Sequence, residues 1–302
     1  MNYTIGTDPE FFLKRGKKLI SAIPLIAGTK HEPAALKNGG TVQRDNVAVE
    51  FATPPAKDGA DFVAKVKSCI KDVMDILPAD TTMEVTPSAS FPASELKHPE
   101  AKMFGCDPDY DAWRIEQNEK PDCGNKSFRS CGAHVHVGGL GEDNMPVAGL
   151  EFLQIFDGKI QMVKAMDIML GIPSAILDNS AAAIDRRKLY GKAGCHRPTD
   201  YGVEYRSLSN YWMKSPELVM LVYNLTGDAI RLVQSGQLEK MIEKISEDEI
   251  KRIINNGDIE AATKVVANHL RPLMSPETQE MFDMCAEKLP KYSTLKKEWS
   301  LQ

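Results

Sequence analysis

Apolar and polar positions alternate most sharply in short segments of the first two-thirds of the chain. Residues 4–13, 46–52, 81–86, 132–138 and 203–208 each read as a β-strand. Each is short, β-branched or aromatic, and bounded by turn residues. Between them the period lengthens. Phe62, Val66, Cys69, Ile70, Val73, Ile76 and Leu77 recur at helical spacing, with Asp58 placed to cap the helix and Pro78 to end it. Residues 147–170 read as one long helix stopped at Gly171-Ile172-Pro173. After about Ser215 the period is helical throughout, over 215–234, 237–255, 258–268 and 276–289. Strands first, with helices interleaved and then clustered, predict an α+β fold. Its sheet is curved and mainly antiparallel, with helices packed on the apolar face and a helical C-terminal third. No internal repeat or Gly/Ser/Pro-rich linker divides the chain. One domain over 1–302 is expected, with a sheet-bearing core over 1–212 and a helical region over 213–302.

Side chains alternate across a strand, so each strand can be divided into two faces. Asp8 and Glu10 then share a face, opposite Phe11. Asn46 and Glu50 share one, opposite Val47, Val49 and Phe51. His134 and His136 lie opposite Val135 and Val137, and Glu204 and Arg206 opposite Val203 and Tyr205. A polar strand face on its own usually meets only water. These four carry carboxylates, imidazoles and a guanidinium, and no lysine. That joint choice points to a shared site. Carboxylate oxygens suit magnesium or manganese. Two histidines among carboxylates also suit zinc or iron, which keeps a metallohydrolase open. A basic stretch precedes the last strand: Asp185-Arg186-Arg187-Lys188-Leu189-Tyr190-Gly191-Lys192-Ala193-Gly194-Cys195-His196-Arg197. Five cations in a Gly-containing loop suit a polyphosphate.

Charge and composition narrow the classes. The chain has 302 residues, a net charge of −5 and 26% charged residues, with a pI near 5.8. Nothing in it favours a nucleic-acid or anionic-membrane binder, which would show a basic stripe. No run of about eighteen apolar residues appears, so no membrane helix is expected. Met1-Asn2-Tyr3-Thr4-Ile5-Gly6 lacks the pattern of a secretory signal. The location expected is cytoplasmic. The six cysteines form no Cys-x-x-Cys pair, which disfavours a thiolate zinc site and a disulfide scaffold. Gly138-Gly139-Leu140-Gly141 matches neither a dinucleotide nor a P-loop signature.

Five sequence blocks together resemble a known family. They are Thr7-Asp8-Pro9-Glu10-Phe11-Phe12; Asn46-Val47-Ala48-Val49-Glu50-Phe51; Gly105-Cys106-Asp107-Pro108-Asp109; Arg129-Ser130-Cys131-Gly132-Ala133-His134-Val135-His136-Val137-Gly138; and Leu189-Tyr190-Gly191-Lys192-Ala193-Gly194 through Val203-Glu204-Tyr205-Arg206-Ser207-Leu208-Ser209-Asn210. In this order they resemble the phage-type carboxylate–amine ligases (type 2), of the glutamine synthetase and glutamate–cysteine ligase group. The likeness spans roughly 4–212, and no motif falls in the helical third.

The resemblance implies a curved antiparallel sheet lining a funnel, as in the glutamine synthetase catalytic domain, with ATP and two or three magnesium (or manganese) ions. It implies metal ligation by Asp8, Glu10, Glu50, His134 and Glu204, and nucleotide or phosphate contacts from His136, Lys192, Arg197 and Arg206. Glu50 and Arg206 are the residues on which catalysis is expected to rest. Glutamine synthetase has an arginine two residues before the late glutamate. Gly202 stands there instead, leaving Arg197 and Arg187 as candidate replacements. The partners implied are ATP, a carboxylate and an amine, in a phage-infected bacterial cell. Active sites shared in a homo-oligomer occur in this fold group. The reaction implied is amide formation through an acyl phosphate. The alternatives are a phosphotransferase of the same fold group, the metallohydrolase, and a non-catalytic binding protein on this scaffold.

Overall fold

The computed structural model describes residues 3–102, 109–121, 124–141 and 143–301. Its strands are, in chain order, β1 (Thr4–Thr7), β2 (Glu10–Arg15), β3 (Lys18–Ile20), β4 (Ala34–Ala35), β5 (Thr41–Asp45), β6 (Ala48–Ala52), β7 (Thr81–Glu84), β8 (Ser88–Ser90), β9 (Tyr110–Asp111), β10 (Glu116–Gln117), β11 (Phe128–Ser130), β12 (Val135–Gly138), β13 (Cys195–Thr199) and β14 (Gly202–Tyr205). Every ladder among the described residues is antiparallel. The architecture is α+β, as the order of periodicities predicts. The antiparallel sheet is curled, as expected, and divides into two six-stranded sheets and a two-stranded ribbon. The first sheet runs β1-β12-β14-β13-β9-β10, and the second β3-β2-β6-β5-β4 with β7 beside β2.

The division begins at Asp8-Pro9, inside the segment expected to be one strand. Pro9 has no N–H for a ladder. The chain leaves β12 there and joins β6 at Glu10. Thr53 N–H donates to Thr7 O at 3.0 Å, and Glu10 N–H to Gly132 O at 2.9 Å, which fixes the crossing. The strand expected from Asn46 begins at Ala48. Asn46 occupies the β5–β6 turn with φ 54, so it does not share the Glu50 face. The strand expected over 132–138 begins at Val135, and the one over 203–208 is Gly202–Tyr205. β13 lies in the stretch read as a basic loop, because His196-Arg197-Pro198 shows no alternation.

The first helix forms as predicted. Asp58 Oδ1 accepts from Asp61 N at 2.8 Å and caps α1 (Gly59–Ile76). The expected helix over 147–170 is different. A 3₁₀ turn (Glu151–Gln154) precedes α2 (Phe156–Met166), and a π-helical turn (Asp167–Gly171) leads into α3 (Ile172–Leu177). Pro173 does not stop the chain, because it follows the π-helical turn, where Ile172 N–H reaches back to Asp167 O and the backbone ladder is already shifted by one residue. Gly171 is a close-approach glycine. A Cβ there would lie 2.6 Å from Ile254 Cδ1 and 2.8 Å from the Tyr205 hydroxyl. By length and hydropathy Phe156–Leu177 could cross a membrane, although no continuous apolar run marks it. Its window is 83% buried inside the protein, where α2 packs behind β13 and β14.

After α4 (Ala181–Leu189) the helical third comprises α5 (Pro216–Gln234), α6 (Leu238–Ile245), α7 (Glu247–Asn256), α8 (Ile259–Val265), α9 (Pro276–Lys288) and α10 (Leu295–Glu298). The segment expected over 237–255 divides at Ser246, whose side chain caps α7. One large apolar core runs from Tyr3 to Trp299 and joins the first sheet to these helices.

Candidate active site

The registers of the two sheets bring the polar faces together. In the first sheet, Gly6, His136, Glu204 and Arg197 lie opposite one another across β1, β12, β14 and β13. Asp8, just past the end of β1, turns onto this row. Its Oδ1 is 3.0 Å from His134 Nδ1 and 3.3 Å from His136 Nε2. Oxygens of Asp8 and Glu204 and a nitrogen of His136 all lie within 4.8 Å of one another. Burial raises the Asp8 pKa, but the imidazoles of His134 and His136 outweigh it and hold the carboxyl well below its usual range. Burial works against a charged His136, yet Asp8 outweighs it and raises that pKa. His134 is lowered instead, by burial and by Arg206. Arg206 Nη1 is 3.3 Å from His134 Nδ1, and it also pairs closely with Glu204.

In the second sheet, Glu10, Glu50 and Gln43 face one another across β2, β6 and β5. Asp45 joins them, and carboxylate oxygens of Glu10, Asp45 and Glu50 lie within 4.8 Å of one another. Like charges directly opposite on neighbouring strands are destabilising. The group is only partly relieved. Gly132 N donates to Glu10 Oε2 at 2.7 Å, and Gln43 Nε2 to Glu50 Oε2 at 2.9 Å. Burial, then Asp45, pushes Glu10 up to about 8. Burial, then Asp8 and Glu10, pushes Glu50 well above the ordinary value. A divalent cation fits both groups. Among Glu10, Asp45 and Glu50 it would replace repulsion by attraction, and in the other group Asp8 Oδ1 and His136 Nε2 are buried atoms that complete no hydrogen bond of good geometry.

Two clefts flank the cluster. One is polar, lined by Glu10, Asp45, Asp109, His134, Arg129, Arg186, Arg206, Tyr190 and Gly191. The other is largely apolar, lined by Ile5, Gly6, Asp8, Glu50, Pro55, His136, Leu140 and Tyr201. Asp8 and Glu50 face the apolar side; Glu10, His134 and Arg206 face the polar side.

The structure therefore gathers Asp8, Glu10, Glu50, His134, His136, Glu204 and Arg206, and sets Arg197 at the edge, its Nη1 3.7 Å from Glu204 Oε2. Lys192 lines neither cleft; it is half-buried, and burial lowers its pKa. Arg187 points away from the site, donating to Ile254 O at 2.8 Å and to Ser174 Oγ at 3.2 Å. The basic stretch is thus no single phosphate loop, since it begins in α4 and ends in β13, and α4 directs its two arginines to different places. Arg186 donates to Ser207 O and Leu208 O and lines the polar cleft. Gly132 and Gly191 leave room for it, as a Cβ at Gly191 would lie 2.0 Å from Arg186 Nη1. Gly202 is explained by the same kind of contact, because a Cβ there would lie 2.1 Å from Val137 O. Among residues not foreseen, Asp45 ends a strand whose alternation is weak, and Tyr201 sits in a turn. Asp109 belongs to a motif assigned no role, and its Oδ2 is 3.6 Å from Arg206 Nε. The rest of that motif, 105–108, lies outside the described residues, as do Cys106 and Cys123.

The comparisons with known proteins bear on the family. Residues 126–301 match the model of the family described as "Phage phiEco32-like COOH.NH2 ligase-type 2". The chain belongs to that family. The match includes the histidine strand, Glu204 and Arg206 of these carboxylate–amine ligases, and it extends through the helical third, where no motif was legible. Asp8, Glu10 and Glu50 precede the matched segment, and it is the fold that brings them to it. No curated protein matches. Among solved structures, a bifunctional glutathione synthetase from Pasteurella multocida aligns with 10% identity and a TM-score of 0.41, over 95% of this chain and 52% of that one. The chain spans about half of that protein's length, and a likeness this low carries no argument.

Proposed function

We propose that the protein is an ATP-dependent carboxylate–amine ligase working through an acyl phosphate, on a funnel formed by the two sheets in the manner of glutamine synthetase. The observation that carries the reading is the meeting of two carboxylate-rich groups at Asp8-Pro9-Glu10, with Arg206 beside them and clefts of opposite character on either side. Asp8, His136 and Glu204 would hold one cation, and Glu10, Asp45 and Glu50 another. This exchanges the roles expected of the histidines, since His136 belongs to the convergent group. The cations supply charge neutralisation for phosphoryl transfer.

The apolar cleft suits a nucleobase. The polar cleft, with Arg186 and Arg206, suits the acid substrate. A carboxylate oxygen attacks the γ-phosphorus as its bond to the bridging oxygen of ADP breaks. The amine nitrogen then attacks the acyl carbon, losing a proton as phosphate departs. Arg206, buried and paired with Glu204, meets the charge that develops on the transferred group. His134, kept neutral by burial and Arg206, can bond the phosphoryl oxygens or hold Arg206 in place.

The test is magnesium-dependent ATP hydrolysis scanned against amino acids and other amines, with phosphate and product mass read together. Amine-dependent phosphate release, with a product lighter than its two substrates by one water, establishes the ligase. ATP consumption without an amine, giving ADP and a product heavier than its acceptor by one phosphoryl group, points to the phosphotransferase. Turnover without ATP points to the hydrolase, and no nucleotide binding at all overturns the reading. Glu50→Gln and Arg206→Ala should each lower turnover by about 100-fold or more with the fold retained, and near-normal turnover in either variant removes that residue from the mechanism.

A further inference from the structure

Tyr201 belongs to no motif. It stands at the two-residue tip of the β13–β14 hairpin, where Thr199 pairs with Gly202. The tip is tied down, since Tyr201 O accepts from Gly139 N at 2.9 Å and Thr199 O from Lys159 Nζ at 2.6 Å. The side chain turns back over the first sheet, and its hydroxyl lies 2.6 Å from His136 Nδ1. The ring, 39% exposed, forms part of the wall of the apolar cleft. The opposite imidazole nitrogen, Nε2, is the one presented to Asp8 Oδ1 at 3.3 Å. His136 is thus gripped at its outer nitrogen and free to act at its inner one.

We propose that Tyr201 is a positioning residue that orients His136 for cation binding, through the hydrogen bond between its hydroxyl and Nδ1. This rests on the reading of Asp8, His136 and Glu204 as a cation group. A ligating nitrogen must offer its lone pair, so with Nε2 engaged the proton resides on Nδ1 and needs an acceptor. The phenol oxygen is that acceptor. Without a cation, the same hydroxyl can donate to a bare Nδ1 while Nε2–H faces Asp8. A hydroxyl serves both tautomers, and a phenyl ring serves neither. Because the same ring lines the apolar cleft, whatever enters that cleft touches the residue that aims His136.

The experiment is calorimetric titration of manganese chloride alone, without nucleotide, into the wild-type protein and Tyr201→Phe, with melting temperatures taken in parallel. The expected result is a Tyr201→Phe affinity about 10- to 100-fold weaker at an unchanged melting temperature. Asp8→Asn is titrated alongside: if it weakens binding and Tyr201→Phe does not, the proposal is overturned with the cation reading intact, and if neither variant weakens binding, the reading of the Asp8 group as a cation site falls and this proposal with it. No manganese binding by the wild type removes the cation reading and this proposal with it. Imidazole ¹⁵N spectra of the magnesium-loaded wild type give a second readout that needs no variant: a proton on His136 Nδ1 supports the proposal, and one on Nε2 overturns it.

Discussion

The site concentrates acids that resist ionisation, and that has a thermodynamic consequence. Glu10 has its pKa raised from 4.5 to about 8. The folded protein therefore holds this proton more tightly than the unfolded chain. Stability from this source is complete below about pH 4.5 and is lost as pH rises through about 8. Glu50 shifts in the same direction. Asp8 shifts the other way, so its contribution is present above its ordinary 3.8 and lost on acidification. In EDTA, the melting temperature should fall between pH 5 and pH 8.5. Saturating magnesium should flatten that decline, because a cation favours ionised carboxylates. Glu10→Gln keeps an acceptor for Gly132 N–H and removes a charge. It should stabilise the metal-free protein at pH 8.5 by about 1–3 kcal/mol and abolish the magnesium effect in scanning calorimetry. A melting temperature that stays flat with pH in EDTA contradicts this account.

Two glycines decide where elements run. Gly171, within a Gly-Ile-Pro sequence that suggests a helix stop, allows the chain to pass over Tyr205. That hydroxyl donates to Asp167 Oδ1 at 2.7 Å, and Trp113 Nε1 to Oδ2 at 2.6 Å, from behind the strand that presents Glu204 and Arg206. Burial pushes Asp167 up to about 7. Gly202 lies opposite Gly138 at the end of that same strand. Its φ of +154 and the closeness of Val137 O leave no room for a side chain, so no arginine could stand at this position. Gly202→Ala should cost at least about 2 kcal/mol in urea unfolding, and soluble protein of unchanged stability would show that the strand can shift.

The helical third supports the site through α4. Arg186 anchors the strand end and faces the polar cleft, while the next residue, Arg187, reaches α7 and α3. Asp178 Oδ2 lies 3.8 Å from Arg187 Nη2, both side chains buried. Arg187→Met leaves that carboxylate without its cation and the Ile254 carbonyl without its side-chain donor. The expected loss is about 3–5 kcal/mol, read by urea midpoint, with nucleotide affinity per folded molecule unchanged. Weakened ATP binding at full stability would return Arg187 to the phosphate site.

The sequence by itself determined the α+β class, the capped first helix, the helical third and seven of the polar residues that meet. It could do so because alternation and helical period are local properties, and because a strand face carrying Asp, Glu, His and Arg without Lys is visible one segment at a time. The tertiary structure alone decided that Asp8 and Glu10 separate onto two sheets, since that turns on which strands claim the chain on either side of Pro9. It alone decided the fate of the basic stretch, because a guanidinium near the cluster and one capping a carbonyl 67 residues away look identical in sequence. Asp45 and Tyr201 entered only through register and a hairpin tip. Both depend on partners distant along the chain, and no local period encodes them.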